Sequence, residues 1–209
     1  MSSLSKIKMK KIGLTGGIAS GKSEVSRWLQ QHDVPILDAD LAARLVVKPG
    51  HAVYDAIVEE FGVGILQPDQ QVHRAKLADV IFNDNAARKK LNAIMHPAIL
   101  DWFERESDRL AAAGEPFVVW DIPLLIDLGW QNKVDQVWVV RATRSQQIER
   151  LRLRNGLSEE MAKRRLAAQL DPQLRENFAD VIIDNSGSLL DTYQQLERLL
   201  KNLREETHA

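Results

Sequence analysis

The sequence predicts an α/β fold in which a parallel sheet of five strands is covered by helices on both faces. Short apolar runs recur along the chain, and most of the sequence between them has the apolar period of helices. Strands that alternate with helices are typical of a parallel sheet. A chain of 209 residues, 44% of them hydrophobic, is long enough to bury one large core. The five runs are Lys11–Thr15, Pro35–Asp38, Phe117–Trp120, Gln136–Val140 and Val181–Asp184.

A glycine-rich motif follows the first run. Residues 16–23 read GGIASGKS, which matches G-x-x-x-x-G-K-[ST], the pattern of a phosphate-binding loop. In such a loop the backbone N–H groups meet phosphate oxygens, the lysine reaches the β- and γ-phosphates, and the serine hydroxyl is placed for Mg²⁺. Val25, Trp28, Leu29 and His32 then recur at helical spacing. A strand before the motif and a helix after it predict a P-loop NTPase fold with three α/β/α layers.

The expected nucleotide contacts come from the loop and the first turn of this helix. Glycines allow the backbone to approach the phosphates closely, and the free N–H groups of a helix N-terminus attract anions. The amide of Glu24 would belong to that first turn. The predicted nucleotide-binding residues are Gly16, Gly17, Ala19, Ser20, Gly21, Lys22, Ser23 and Glu24.

Composition excludes several classes of function. The formal net charge of −1 gives no overall attraction to nucleic acid or to an anionic membrane. The chain has no cysteine, which excludes disulfides, zinc–thiolate sites and a thiol nucleophile. Residues 1–11 lack the apolar core of a signal peptide, and the apolar stretch Phe117–Trp130 is interrupted by charges and a proline. We therefore expect a cytoplasmic protein that binds neither nucleic acid nor membranes.

Three aspartates follow predicted strands. Asp38 and Asp40 come after the second run, and Asp121 closes the third, as in a Walker B element. The carboxyl ends of parallel strands share one edge with the phosphate loop. One carboxylate could therefore hold Mg²⁺, and another could accept the proton of a substrate hydroxyl. The alternative for Asp38 or Asp40 is helix capping, because a helical pattern that includes Leu41 follows them.

A basic helical segment runs from Ser145 to Pro172. Arg150 and Arg154 share one helix face, and further arginines follow, among them Arg165. Such a cluster could close over a triphosphate as a lid and neutralise charge in the transition state. The alternative is a solvated helix face whose cations pair with neighbouring glutamates, and it is favoured for most of these residues.

The long stretch Ala39–Gly114 is expected to be a helical insertion that carries something other than the nucleotide. Two proline-containing breaks, Lys48–Gly50 and Gln67–Asp69, divide it. His96 precedes Pro97, and because proline disfavours helix in the residue before it, we expect a helix boundary there. A contact of His96 with substrate stays open.

Two local patterns concern the second half of the chain. Asn132–Asp135 spells N-K-x-D, which reads guanine in GTPases, but it precedes a strand run and would fall on the edge of the sheet opposite the nucleotide. The last helix is predicted to start at Ser188, in a capping-box pattern, and to run to about Arg204.

Six segments taken together carry a family resemblance. They are Ile12–Ser23, Ile36–Gly50, Leu91–Ile99, Trp120–Gly129, Glu149–Ser158 with Arg165–Gln169, and Ala179–Ser188. In this order they resemble dephospho-CoA kinase, a P-loop enzyme family that phosphorylates the ribose 3′-hydroxyl of dephospho-CoA in the last step of coenzyme A synthesis. The resemblance covers nearly the whole chain and implies ATP and Mg²⁺ as cofactors.

The resemblance also implies a division of the chain. The core would be residues 10–38, 115–144 and 173–209, the insertion 39–114 would bind dephospho-CoA, and residues 145–172 would form the lid. Dephospho-CoA would be the small-molecule partner, and we expect a monomer or weak homo-oligomer. Another small-molecule or nucleoside monophosphate kinase is the first alternative, and a GTP-binding switch is the second.

Site residues follow from the resemblance position by position. Asp40 would be the general base, and Lys22 and Arg154 would complete the catalytic set. The acceptor site would contain Asp40 and Arg44, and His96 is a further candidate whose contact with substrate stays open. Arg165 and Asn185 would join the nucleotide site, and Ser23 would be a metal ligand. Asp38 and Asp121 are the other candidate metal ligands, from their positions at the ends of strands.

The chain departs from the usual pattern of the family at four positions. Ala19 replaces a common glycine in the loop, which is tolerable if its φ is negative. Glu24 stands in place of a small hydroxyl residue, Asp127 in place of glutamate, and His73 in place of an aspartate that often caps the next helix.

Overall fold

A computed structural model describes residues 9–208, the side chain of the last of these excepted. The prediction that residues 1–11 lack the apolar core of a signal peptide falls mostly on residues 1–8, which lie outside the described residues. Within the described residues there are five strands and nine α-helices. They are β1 Lys10–Gly16, α1 Lys22–Gln31, β2 Ile36–Asp38, α2 Ala39–Leu45, α3 Ala52–Phe61, α4 Arg74–Asn83, α5 Asn85–Ala112, β3 Phe117–Asp121, β4 Gln136–Arg141, α6 Arg144–Asn155, α7 Glu159–Ala167, α8 Pro172–Glu176, β5 Val181–Asp184 and α9 Leu189–His208.

The five strands form one sheet in the order β2-β3-β1-β4-β5. β1 pairs in parallel with both β3 and β4, and β4 pairs in parallel with β5. The register sets Leu14 beside Asp121 on one side of β1 and Gly16 beside Val140 on the other. The carboxyl ends of these strands therefore lie together around the phosphate loop. The predicted α/β class with a parallel five-stranded sheet is confirmed.

The chain divides into two compact units. The first consists of the segment that ends at Ile36 and the segment that begins at Leu110, and the second is Leu37–Arg109. In the first unit, alternate residues of β1, such as Ile12 and Leu14, pack with apolar side chains of α1 and α9. This packing fixes the point at which β1 passes into the loop and α1 begins.

The second unit has a core of its own, to which three helices contribute. Ile57, Leu77 and Leu91 are buried in it, and they come from α3, α4 and α5. The two predicted breaks in this region are confirmed, because α2 and α3 end before them and α3 and α4 begin after them.

The predicted helix boundary at His96 is wrong. α5 continues without interruption from Asn85 to Ala112 and contains Pro97. A proline in a helix removes one backbone hydrogen bond, here to the carbonyl of Ala93. Ala93 and Pro97 are both exposed, so water can reach that carbonyl. Buried apolar residues lie on both sides of the proline and favour a continuous helix.

The last helix confirms the predicted capping box with a small shift. α9 begins at Leu189 and ends at His208, four residues beyond the predicted end. The Asp191 N–H donates to Ser188 Oγ (3.2 Å), and the Ser188 N–H donates to Asp191 Oδ2 (2.9 Å). These reciprocal bonds satisfy two N–H groups at the start of the helix.

The N-K-x-D tetrad lies where it was predicted. The Lys11 N–H, at the amino end of β1, donates to Asp135 Oδ2 at 2.8 Å. This aspartate therefore stabilises the edge of the sheet opposite the phosphate loop.

In the described part of the chain, no helix combines the length and the apolar character that crossing a bilayer requires.

Candidate phosphate-binding site

The phosphate loop needs glycine at its last turn for two reasons. Gly21 has φ +100°, and a Cβ on it would lie 1.9 Å from Asn185 Nδ2. Gly16 is confined as well, because a Cβ there would lie 2.8 Å from the Val140 carbonyl oxygen. α1 starts directly after Gly21, so the first N–H groups of the helix stand at the end of the loop. This arrangement suits a phosphate.

Lys22 forms an ion pair with a buried carboxylate at the end of β3. Its Nζ contacts Asp121 Oδ1, and Asp121 is only 4% exposed. The pairing of β1 with β3 brings the two together, because Asp121 lies opposite Leu14 in the register. Asp121 and the exposed hydroxyl of Ser23 are oxygen ligands of the kind that Mg²⁺ prefers. Their role as metal ligands stays a prediction.

An arginine and an asparagine hold the carbonyl groups of the loop. Arg150 Nη1 donates to the carbonyl oxygens of Ala19 (3.2 Å) and Ser20 (3.1 Å), and Nη2 donates to that of Asn185 (3.1 Å). Asn185 Nδ2 donates to the Ser20 carbonyl oxygen at 2.8 Å. The solvated-face interpretation is therefore wrong for Arg150. Because Arg150 and Asn185 bind its carbonyl groups, they restrain the conformation of the loop.

Asn185 has no free polar atom in this arrangement. It is 3% exposed, and its Oδ1 accepts a hydrogen bond from Thr192 Oγ1 at 3.0 Å while its Nδ2 holds the loop. The side chain thus shapes the loop, and a contact with the nucleotide itself stays a prediction.

Ala19 adopts a left-handed backbone conformation. Its φ is +58°, so the condition under which alanine is tolerable there, a negative φ, is not met. This conformation costs a non-glycine residue about 1–2 kcal/mol. The hydrogen bond from Arg150 to its carbonyl helps to hold it there.

Two glutamines that the sequence analysis missed bind the peptide groups of Ile18. Gln147 Nε2 donates to the Ile18 carbonyl oxygen, and the Ile18 N–H donates to Gln169 Oε1, both at 2.8 Å. Gln147 is 8% exposed and lies one turn before the buried Leu151. The one signal for this role in the sequence was that Gln147, a polar residue, stands at a position of α6 where the helical pattern predicts an apolar one.

The basic segment is mainly a solvated surface, as the favoured alternative predicted. Lys163 pairs with Glu159 and Arg164 with Glu160, each at 2.5 Å and one helical turn apart. The bond from Lys163 is the main reason that the pKa of Glu159 is lowered.

Arg154, predicted for the catalytic set, and Arg165, predicted for the nucleotide site, are both exposed. Arg154 Nε donates to Asn155 Oδ1 at 3.1 Å, and Arg165 lies in the last turn of α7. Their contact with phosphate stays a prediction.

The side chain of Glu24 is engaged by residues of α1 and α9. The Glu24 N–H donates to the Gly21 carbonyl oxygen (2.9 Å) and its carboxylate accepts from Tyr193 Oη (2.6 Å), a bond that raises the pKa of Tyr193. Its other carboxylate oxygen pairs with Arg27 at 2.6 Å. The side chain of Glu24 therefore connects α1 to α9, and the contact of its amide with the nucleotide stays a prediction.

In the second unit, Asp38 is a helix cap. The Leu41 N–H donates to Asp38 Oδ1 at 2.8 Å, at the start of α2. The capping alternative is therefore correct for Asp38, and a metal role would have to use its other oxygen. Asp40 and Arg44 lie one turn apart on α2, and both are exposed.

His96 and His73 belong to helices of the second unit. Half-buried His96 lies in the middle of α5, and burial lowers its pKa. Its contact with substrate stays a prediction. His73 Nδ1 accepts from the Lys76 N–H at 3.4 Å, so it caps α4.

Comparison with known proteins decides the family. The sequence profile of dephospho-CoA kinase matches residues 10–191. This chain belongs to the dephospho-CoA kinase family. A dephospho-CoA kinase from Geobacillus kaustophilus is 46% identical over 91% of this chain and 94% of its own length. One from Geobacter sulfurreducens is 45% identical, over 92% and 95%.

Solved structures agree with this membership of the dephospho-CoA kinase family. A protein from Thermus thermophilus superposes with a TM-score of 0.78 at 30% identity, covering 93% of this chain and 98% of its own. The dephospho-CoA kinase from Campylobacter jejuni gives 0.73 at 26% identity, covering 94% and 98%. A shikimate kinase from Bacteroides thetaiotaomicron, at 14% identity and a TM-score of 0.51, shares the P-loop kinase fold alone, over 94% and 99%. The chain is a kinase, and a GTP-binding switch is not favoured.

Proposed function

We propose that this kinase transfers the γ-phosphoryl group of ATP to the ribose 3′-hydroxyl of dephospho-CoA, giving coenzyme A and ADP. The observation that carries the proposal is the phosphate loop, which Arg150 and Asn185 hold in place, in a chain of the dephospho-CoA kinase family. Its oriented N–H groups and Lys22 supply the positioning and the charge that phosphoryl transfer needs.

The proposed roles follow from the chemistry of each side chain. Lys22, which forms an ion pair with Asp121, neutralises charge on the transferred group. Asp40, an exposed carboxylate, accepts the proton of the 3′-hydroxyl. Ser23 and Asp121, with Asp38 as a further candidate, are the proposed ligands of Mg²⁺, which when bound neutralises charge on the β- and γ-phosphates.

Recognition of the acceptor is proposed for the second unit. Arg44 is a cation on the same helix face as Asp40 and suits the phosphates of dephospho-CoA. His96 is half-buried, and an imidazole ring can donate or accept a hydrogen bond, which suits a polar group of the acceptor. Arg154 and Arg165 are the proposed lid cations, which exclude water when the lid closes.

The test is an acceptor panel. ADP release from ATP with Mg²⁺ is measured with dephospho-CoA, with nucleosides and nucleoside monophosphates, and without acceptor, and the product is identified by mass. We expect coenzyme A to form. Among the acceptors of the panel, only dephospho-CoA should give fast release of ADP. Faster turnover with a nucleoside monophosphate would instead favour the alternative kinase. Tight GTP binding with slow hydrolysis in the absence of acceptor would favour a switch.

A further inference from the structure

In the described part of the chain, a buried arginine beside the phosphate loop has no counter-ion. Arg175, in α8, is 5% exposed, and its Nε is buried without a hydrogen-bond acceptor. Within residues 9–208 no carboxylate pairs with its guanidinium. Burying a charged group without a partner is costly, and buried charges in proteins are normally paired. An unpaired buried guanidinium therefore indicates the place of an anion that binds from outside.

The guanidinium faces a cavity of about 250 Å³ in the first unit. Three arginines line the cavity, namely Arg141, Arg144 and Arg175, against one acidic residue, Glu176. Glu176 pairs with Arg141 at 3.5 Å, so its charge is already shared. The remaining lining is largely apolar, which strengthens the attraction of a buried cation for an anion. The cavity therefore favours an anionic group.

The same cavity reaches the phosphate loop. A Cβ on Gly17 would lie 3.4 Å from Arg175 Nη1 and 3.5 Å from Gln169 Oε1, so both side chains converge on this part of the loop. Next to it, the N–H of Ile18 donates to Gln169 Oε1. In a phosphate-binding loop such an N–H is a donor for a phosphate oxygen. Here the neutral Oε1 of Gln169 accepts the hydrogen bond from the Ile18 N–H in place of a phosphate oxygen.

We propose that Arg175 and the Ile18 N–H form a phosphoryl-binding subsite, and that Gln169 is a placeholder that leaves the N–H when a phosphate oxygen arrives. The subsite takes a phosphoryl oxyanion. It rests on the proposed function for the source of that group, which is either the triphosphate of ATP or the diphosphate of dephospho-CoA. The planar fork of Arg175 suits two oxygens of one phosphate.

The test removes the charge and keeps the volume. Binding of ATP, ADP and dephospho-CoA, each with Mg²⁺ at one fixed salt concentration, is measured by titration calorimetry for Arg175→Met. The matched control is Arg164→Met, because Arg164 is an exposed arginine whose ion pair with Glu160 lies on the surface of α7. We expect about 10- to 100-fold weaker binding of one phosphate ligand in Arg175→Met, the range for a charged hydrogen bond. The control should change by less than about twofold, as expected for an exposed ion pair.

Thermal unfolding without ligand is a second measurement, for which a subsite arginine and a purely structural arginine predict different results. Removal of an unpaired buried charge should leave the Tm of Arg175→Met equal to or above that of the wild type. Arg175→Lys, which keeps the charge but not the fork, should bind the ligand with intermediate affinity. A purely structural arginine would instead lower the Tm when replaced and leave the affinities unchanged, and that result would overturn the proposal.

The ligand that is affected identifies the source of the phosphoryl group. Loss confined to ATP, with ADP little changed, assigns the subsite to the terminal phosphate, and loss confined to dephospho-CoA assigns it to the acceptor. Equal affinities of Arg175→Met and wild type for all three ligands would contradict the subsite. Because binding is measured without turnover, failure of the wild type to phosphorylate dephospho-CoA would contradict the proposed function alone.

Discussion

Asp40 is the residue on which the proposed chemistry depends most. It lies exposed in the first turn of α2, while the neighbouring Asp38 is already engaged as the cap of that helix. Asp40→Asn keeps the shape and removes the base. We expect about 100-fold or more lower kcat, the range for general base catalysis, with ATP binding unchanged. Steady-state kinetics and a nucleotide titration check both parts.

Asp38→Asn is the comparison for this prediction. Asparagine caps a helix as well as aspartate does, so this variant preserves α2. Unchanged turnover in Asp40→Asn would remove Asp40 from the mechanism. A loss in Asp38→Asn with Asp40→Asn unaffected would move the essential carboxylate to Asp38.

Ala19 carries a local strain that glycine would relieve. A non-glycine residue at φ +58° costs about 1–2 kcal/mol, whereas glycine adopts this conformation freely. Glycine also loses about 0.5–1 kcal/mol more conformational entropy on folding. We therefore expect Ala19→Gly to raise the free energy of unfolding by up to about 1 kcal/mol, measured by urea denaturation. A clear decrease would mean that Ala19 is not left-handed in solution.

At the scale of elements, the strands could be predicted and the contacts behind the loop could not. Apolar runs such as Phe117–Trp120 match β3 to within one residue, because burial on both faces leaves a local pattern. The break expected at Pro97 failed because the packing of Leu91 and Phe103 outweighs a local rule. Arg150 binds carbonyl groups about 130 residues away, and backbone acceptors carry no signal in the sequence.

The connection between β5 and α9 is expected to support the phosphate loop. Asn185→Ala removes the hydrogen bonds to the Ser20 carbonyl and from Thr192, both of them buried. Leaving such groups unsatisfied costs about 1–3 kcal/mol, so we expect a loss of this size in the free energy of unfolding and weaker ATP binding. Asn202→Ala is the control, because Asn202 is exposed on α9. Equal stability of the two variants in urea would contradict a supporting role for Asn185.

At the scale of the whole molecule, the two units are proposed to bind different substrates. The first contains the phosphate loop, and the second, Leu37–Arg109, contains Asp40, Arg44 and His96. Ligands slow hydrogen exchange mainly where they suppress local opening. We therefore expect ATP with Mg²⁺ to protect peptides that contain residues 16–24, and dephospho-CoA alone to protect peptides from α2 and the middle of α5. Exchange mass spectrometry on the full chain measures both in one experiment.

The acceptor arm of this experiment decides where dephospho-CoA binds. Protection within residues 37–109 would agree with the prediction that the helical insertion binds dephospho-CoA. That prediction came from the family resemblance. The apolar pattern of the second unit predicts only its helices and its own core. Exchange with coenzyme A, the proposed product, is the matched control, because product and acceptor differ by one phosphate. Dephospho-CoA that protects peptides of the first unit alone would contradict an acceptor site in the helical insertion. Asp40 and Arg44 would then lose their proposed roles, while the assignment of ATP to the phosphate loop would stand.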